Sequence, residues 1–172
     1  MVAILETKRL RLETWGDEGV SELMELHGTH EVVRFLDATG QFYGSQKAEK
    51  RLQKWAQEYR KYGLGKQRLV KRTDGLFVGR AGYSLFETGV PEIGYSLLPQ
   101  YWGNGYATEI ASGLRDWLAA TKRWTGFIGF AHLENIASRR VLEKIGMRPT
   151  HKAIVSELPM QFYALDFVNG LW

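Results

Sequence analysis

One stretch of this chain allows few conformations. It is Pro99-Gln100-Tyr101-Trp102-Gly103-Asn104-Gly105-Tyr106-Ala107-Thr108-Glu109. An alternating apolar segment ends just before it, with Ile93, Tyr95 and Leu97 on one side. An amphipathic pattern of Ala107, Ile110, Ala111, Leu114, Trp117 and Leu118 begins inside it. A strand must therefore hand over to a helix through two glycines. Glycine turns tightly and lets a ligand approach the backbone. The first amides of a helix lack intrahelical acceptors and sit at the positive end of its dipole. Such a junction suits a phosphate or pyrophosphate, although Gly-x-Gly alone is equally compatible with a plain tight turn. No Gly-Lys-Ser/Thr follows, and a third glycine is missing, so neither a Walker loop nor a dinucleotide fingerprint is present.

A second junction lies about thirty residues downstream. Residues 124–131 form a nearly continuous apolar run, as expected of a strand buried on both faces. Glu134-Asn135-Ile136-Ala137-Ser138 then opens a short helix with Ala137, Val141, Leu142 and Ile145 inward, Asn135 as its cap and Gly146 closing it. Ser138 stands one turn from Asn135, at the same helix end. Taken alone, this is a capping asparagine with an incidental serine. Two such junctions on neighbouring strands face one end of a sheet and share a cleft.

The remaining elements follow from periodicity. Residues 7–14 alternate, with Leu10 and Leu12 inward, and read as a half-buried strand. Asp17 is placed to cap a helix bearing Val20, Leu23, Met24 and His27. Ser45 is placed to cap a longer one bearing Ala48, Leu52, Trp55, Ala56, Tyr59 and Tyr62. Residues 67–71 and 76–86 flank Asp74-Gly75, a hairpin turn, and a third strand covers 92–98. Residues 152–155 and 161–167 make a closing strand pair. The order β-αα-βββ-α-β-α-ββ predicts a mixed α/β (α+β) fold, a largely antiparallel sheet flanked by helices, with residues 1–172 as one domain.

Composition narrows the chemistry. The 172 residues are 44% apolar and 24% charged, ordinary values for a globular protein. There is no cysteine, which removes disulfides, thiolate catalysis and cysteine-bound zinc, and suits the cytoplasm. No apolar run is long enough to span a membrane, and the opening MVAILETKRLRLETW does not read as a signal peptide. The net charge of +4 comes without a basic run interleaved with aromatics, which argues against a nucleic-acid partner. His27 and His30 are three apart, but no third ligand follows from spacing, so no metal site is expected. The tryptophans at 15, 55, 102, 117, 124 and 172 read as core or rim packing.

With both junctions in place, the chain resembles the GNAT superfamily of N-acetyltransferases, and within it the RimJ/RimL-like branch. The resemblance rests on several blocks in the right order: Thr7-Lys8-Arg9-Leu10-Arg11-Leu12, His30-Glu31-Val32-Val33-Arg34-Phe35-Leu36, Glu92-Ile93-Gly94-Tyr95, Tyr101 to Glu109, and Asn135-x-x-Ser138-x-x-Val141-Leu142-Glu143-Lys144-Ile145-Gly146. It implies acetyl-CoA as co-substrate, lying in a gap between strands 92–98 and 124–131 that a β-bulge in the first commonly helps to splay. Leu97 and Leu98 would hydrogen-bond the pantetheine arm through their backbone. Gly103, Asn104, Gly105, Tyr106 and Ala107 would hold the pyrophosphate. The Arg/Gln-x-x-Gly-x-Gly/Ala motif fits in two registers, from Gln100 or from Trp102. The second is preferred, because it puts Gly105 and Ala107 at the small positions; its first side chain, Trp102, then replaces the usual Arg or Gln.

The resemblance also implies roles. Ser138 would be general acid toward the departing thiolate, with Asn135 orienting it or the pantetheine. Glu92 is the first candidate for general base and Glu157 the second. The acceptor would be a primary amine, a peptide or protein N-terminus being favoured over a small molecule. A non-catalytic acyl-CoA-binding sensor or scaffold is the competing reading. An exposed final strand would offer an edge for a homodimer.

Overall fold

The computed structural model describes residues 1–36 and 38–168; the tryptophan at 172 lies outside them. The chain runs β1 (Ala3–Glu6), β2 (Leu10–Glu13), α1 (Gly19–Leu26), α2 (His30–Val33), α3 (Ser45–Tyr62), β3 (Gly65–Lys71), β4 (Phe77–Leu85), β5 (Pro91–Leu97), α4 (Tyr106–Thr121), β6 (Gly126–His132), α5 (Ile136–Lys144), β7 (Arg148–Val155) and β8 (Leu158–Asp166). A 3-10 turn, Pro99–Tyr101, joins β5 to the loop before α4. The strands form one sheet in the order β1-β2-β3-β4-β5-β6-β8-β7. Every neighbouring pair is antiparallel except β5 with β6. The mixed, largely antiparallel architecture is the one expected, with one short strand and one short helix more than periodicity indicated.

The sheet carries a different kind of core on each face. On one, α4 and α5 bury Ile110, Leu114, Leu118, Leu142 and Ile145 against Leu69, Ala81, Tyr83, Ile93 and Phe127. On the other, α1 and α3 bury Leu23, Leu26, Ala48 and Trp55, and much of what they cover is charged. Arg68 on β3 donates to Glu22 of α1 and, at 2.6 Å, to Glu13 of β2. All three are nearly inaccessible. On α3 the expected inward Ala56 is exposed, and Glu58 is buried instead, accepting the Ser84 hydroxyl at 2.9 Å. Polar sheet residues attract a polar helix face, which apolar periodicity does not register.

Helix ends follow the expected chemistry unevenly. Asn135 caps α5, its side chain accepting the Ser138 amide at 3.1 Å. Gly146, at φ 92°, closes the helix. Asp17 and Ser45 do not cap: Glu18 and Gly44 occupy those positions, without side-chain cap bonds. The 76–86 hairpin turns at Gly75, φ 71°, with the Leu76 amide on Asp74. The final strand, β8, lies inside the sheet between β6 and β7, so the edges are β1 and β7 and the edge argument for a homodimer does not apply to the last strand.

The β1–β2 turn is tied to α4. Thr7 Oγ1 and the Arg9 amide both donate to Glu109 Oε1 at 2.7 Å, and Arg9 Nε reaches Oε2 at 2.6 Å. Arg9 also covers the Tyr106 ring at 4.6 Å. Glu109 belongs to the first turn of α4, so the Thr7-Lys8-Arg9 block fixes the start of the helix that follows the two glycines.

Removing Arg68 would leave two buried carboxylates without their shared cation. Breaking such a group costs about 3–5 kcal/mol, so Arg68→Leu is expected to lower unfolding free energy by about 3 kcal/mol or more in a denaturant titration. Glu22→Gln, which keeps a hydrogen-bond acceptor, should cost clearly less.

Candidate active site

β5 and β6 are joined at one register point, Glu92 with Ile128. Toward β4, by contrast, β5 pairs without interruption from Pro91 to Leu97. The Leu98 amide donates to the Val78 carbonyl at 2.9 Å. By antiparallel alternation, Ser96 and Gly94 also bond toward β4, and the backbone groups of Tyr95 and Leu97 face the gap. The strands diverge there, and a cleft of about 630 Å³ opens. No bulge interrupts β5 against β4, contrary to expectation; the irregularity lies one strand over, between β3 and β4 at Leu69 and Val70.

The expected pantetheine contacts are thereby sorted. Leu98 has no free backbone group: its amide is taken by Val78, and its carbonyl accepts the Tyr101 amide at 3.0 Å. Its side chain is buried under α3. The carbonyl of Leu97 accepts the Trp102 indole N–H at 2.8 Å. The Leu97 amide is left facing the gap. Trp102 therefore terminates the open strand with its side chain rather than reaching for a phosphate.

Gly103 and Gly105 both adopt φ 76°. A Cβ at Gly103 would meet nothing within 4 Å, so what these positions require is the left-handed backbone. The first intrahelical bond of α4 runs from the Glu109 amide to the Gly105 carbonyl. The amides of Tyr106, Ala107 and Thr108 thus have no helical acceptor and line the cleft. Asn104 folds back, its side-chain amide donating to the carbonyls of Tyr101 and Trp102 at 3.1 Å.

Asn135 and Ser138 form the facing wall. Between them and β5 stands Tyr95, which the sequence reading took only as an inward strand residue. Its hydroxyl donates to the Ser138 carbonyl at 3.1 Å and lies 3.1 Å from Ser138 Oγ. Burial pushes the phenol well above its ordinary value, against the opposing effect of the Ser138 bond, so it stays protonated. The available signal was chemical: a tyrosine aimed inward needs a partner for its hydroxyl.

The two acidic candidates part company. Glu92 is buried in the cleft wall and ion-paired with Lys66 at 2.8 Å. Lys66 is itself half-buried, and desolvation lowers its pKa against the pull of Glu92. Glu157 sits in the β7–β8 turn at φ 64°, exposed, while its neighbours Val155 and Ser156 line the cleft. The structure does not bring Glu157 to the site. His132 does line it, but its Nδ1 accepts the Glu134 amide at 3.1 Å. In the neutral ring Nε2 then carries the proton.

His27 and His30 are not a pair. His30 is exposed beside Phe42, whereas His27 is fully buried, stacked on Tyr43 at 4.1 Å, its Nε2 accepting from Arg80 Nε at 3.3 Å. Burial first, then Arg80, Arg51 and Lys47, drive its pKa down to about 2. Among the described residues no helix is long and apolar enough to cross a membrane.

Comparison with known proteins agrees with this geometry. The model of the acetyltransferase (GNAT) domain family matches residues 9–148. The uncharacterized protein YkkB of Bacillus subtilis is 31% identical over 151 residues, 83% of this chain and 84% of that protein. An acetyltransferase from Agrobacterium tumefaciens superposes with a TM-score of 0.80 at 22% identity, over 95% of this chain and 94% of that one. RimL, the ribosomal L7/L12 alpha-N-protein acetyltransferase solved with coenzyme A, superposes with a TM-score of 0.81 at 15% identity, over 96% of this chain and 98% of that one.

Two predictions follow from the buried charges. A Cβ on Gly94 would lie 2.5 Å from Lys66 Cε and Nζ, so Gly94→Ala should displace Lys66 from Glu92 and cost about 1–3 kcal/mol. Lys66→Met added to it should then cost less than Lys66→Met alone, a coupling that a double-mutant cycle reads directly. The second concerns pH. His27 titrates near 6.5 when unfolded and near 2 when folded, so the unfolded chain binds the proton first as pH falls. Stability is full above about pH 7 and declines below about 6.5, by about 2 kcal/mol between pH 7 and 5. His27→Gln should flatten that part of the stability profile. The matched domain and the open strand pair beside a helix start together establish that the chain belongs to the GNAT acetyltransferase family.

Proposed function

We propose that the chain transfers the acetyl group of acetyl-CoA to a primary amine, in a ternary complex and by direct attack of the amine. The observation that carries this reading is the divergence of β5 from β6, which points an unpaired Leu97 amide and the first turn of α4 into the cleft holding Glu92, Tyr95 and Ser138. The fit to the co-substrate is local. Left-handed glycines and acceptor-free amides at Gly103 to Ala107 suit a pyrophosphate, and the Leu97 amide suits an amide of the pantetheine arm. Leu98 and the Trp102 side chain are not needed for it.

The residues divide the work as follows. The amine nitrogen bonds to the thioester carbon while the carbon–sulfur bond breaks. Glu92, held by Lys66, accepts the proton that the amine sheds, directly or through one water. Ser138 gives a proton to the departing thiolate, and the protonated Tyr95 hydroxyl hydrogen-bonds beside it. Asn135 fixes Ser138 by capping α5. Holding amine and thioester together supplies much of the acceleration. The acceptor is an α-amine, that of a peptide or protein being favoured over a small molecule, a reading supported by the RimL-like architecture and by chemistry: peptide α-amines lose their proton near pH 7.7–8, roughly two to three units below lysine.

Thermal unfolding with and without acetyl-CoA tests binding. A ligand at about 100 times its Kd adds roughly 2.7 kcal/mol, so a clear upward shift is expected, and no shift at millimolar ligand would remove the co-substrate. Thiol release with a peptide panel then tests turnover and separates an enzyme from a binding module. Ser138→Ala should lower kcat by about 100-fold with acetyl-CoA affinity unchanged. Full turnover in that variant would take the acid role away from Ser138.

A further inference from the structure

The α1/α3 face of the sheet holds one charge that the catalytic reading does not use. Arg80 on β4 is 7% exposed and contributes to the cleft wall. Its guanidinium lies 5.3 Å from the Trp55 ring, and its Nε donates to a neutral histidine, His27. Its Nη1 is buried without any hydrogen-bond partner. Among the described residues no carboxylate forms an ion pair or hydrogen bond with it, although Glu92 acts on it from a distance. Glu13 and Glu22 hold Arg68, Glu92 holds Lys66, and Glu58 accepts Ser84 with Lys54 at 3.8 Å.

A buried guanidinium facing a histidine that cannot take up charge is costly unless an anion completes it. The surroundings lean the same way: the described side chains lining the cleft include Arg34, Arg51, Lys54, Lys66 and Arg80, against the carboxylates of Glu31 and Glu92. Nor is Arg80 placed for the pyrophosphate. It emerges on the sheet face covered by α1 and α3, beside Trp55 and His27, whereas α4 packs on the opposite face against Ala81, Tyr83 and Ile93. The Arg80 face is also the one on which Lys66 holds Glu92, the proposed base, so under that reading the amine meets the thioester from this side.

We propose that Arg80 is the anion-binding residue of an acceptor subsite, and that the amine this protein acetylates carries a carboxylate within reach of it. This rests on the acetyl-transfer reading above. Two sources present that group: the α-carboxylate of a free amino acid, or an acidic side chain among the first residues of a peptide. The planar fork of arginine matches either one bidentately.

Matched acceptors distinguish the sources. Alanine against alaninamide reports an α-carboxylate, and Ala-Glu-amide against Ala-Gln-amide reports an acidic side chain. Wild-type protein is expected to favour the carboxylate member of one pair by tenfold or more in kcat/KM. Arg80→Met should reduce that preference at least fivefold, with acetyl-CoA affinity within twofold of wild type, and Arg80→Lys should lie between. Wild-type rates within twofold for both pairs would overturn the proposal without recourse to any variant. So would equal losses on both members in Arg80→Met, or a matching loss of acetyl-CoA affinity. If no amine releases thiol, acetyl transfer has failed and the subsite is judged by calorimetry with CoA present. Binding of N-acetylalanine or N-acetyl-Ala-Glu-amide at least tenfold tighter to wild type than to Arg80→Met supports it, and no binding of either to wild type overturns it.

Discussion

A single register point, Glu92 with Ile128, holds β5 to β6, and the rest of the molecule is arranged around what happens on either side of it. At the closed end β6 carries Gly129, where a Cβ would come within 2.9 Å of Ile93 and 3.2 Å of Leu142. Glycine there lets β5, β6 and α5 close on one another. Beyond it the strands separate, and backbone groups of Tyr95 and Leu97 lose their sheet partners. An unpaired backbone group is tolerable where water or a ligand can reach it and expensive where neither can. Trp102 meets part of that demand by donating its indole N–H to Leu97. What remains is a strand end that can be completed from outside, next to a helix start in the same condition.

The two faces of the sheet then take different tasks. The α4/α5 face is an apolar core that fixes the two helix N-termini, aided by Arg9 and Thr7 on Glu109. The α1/α3 face buries a set of charges, most of them paired. Buried pairs contribute little net stability compared with apolar packing, so their presence there is better explained by position than by strength. They hold Glu92, Lys66 and Arg80 at fixed places along the cleft. Gly94 is the local concession that allows it, leaving room for Lys66 of β3 to reach across β4 to Glu92.

How much of this was legible in the sequence depended on whether a feature was local. The two strand-to-helix junctions, the Asn135 cap, the Gly75 turn and the Gly146 stop all depend on residues within a few positions of one another, and all stand where the pattern put them, whereas the equally local Asp17 and Ser45 caps do not form. Features set by distant neighbours were lost. Ala56 was placed inward by apolar period, but Glu58 is buried because Ser84 of β4 offers it a hydroxyl. The Leu98 backbone was assigned to the ligand, but Val78 and Tyr101 consume it. Tyr95 acquires its role only from Ser138, 43 residues away. Arg80 carries no local signal in the sequence, because its surroundings come from His27 and Trp55 on two other elements.

The charge arrangement also bears on the proton that acetyl transfer must remove. Lys66 and Arg80 place positive potential on the α1/α3 side of the cleft, and Lys66 already occupies the carboxylate of Glu92. An ammonium entering this region meets repulsion, which favours its neutral form and lowers the amine's pKa. Under the proposed reaction the field would do part of a general base's task before Glu92 took the proton. An α-amine, close to neutrality at physiological pH, needs only a small push of this kind, whereas a lysine side chain needs roughly two to three more units. A carboxylate on the acceptor, bound by Arg80, would offset the repulsion at entry while leaving the amine among the cations. Under the proposed reaction, a positively charged acceptor subsite and an α-amine substrate are therefore consistent with each other, even though a cationic cleft repels an ammonium.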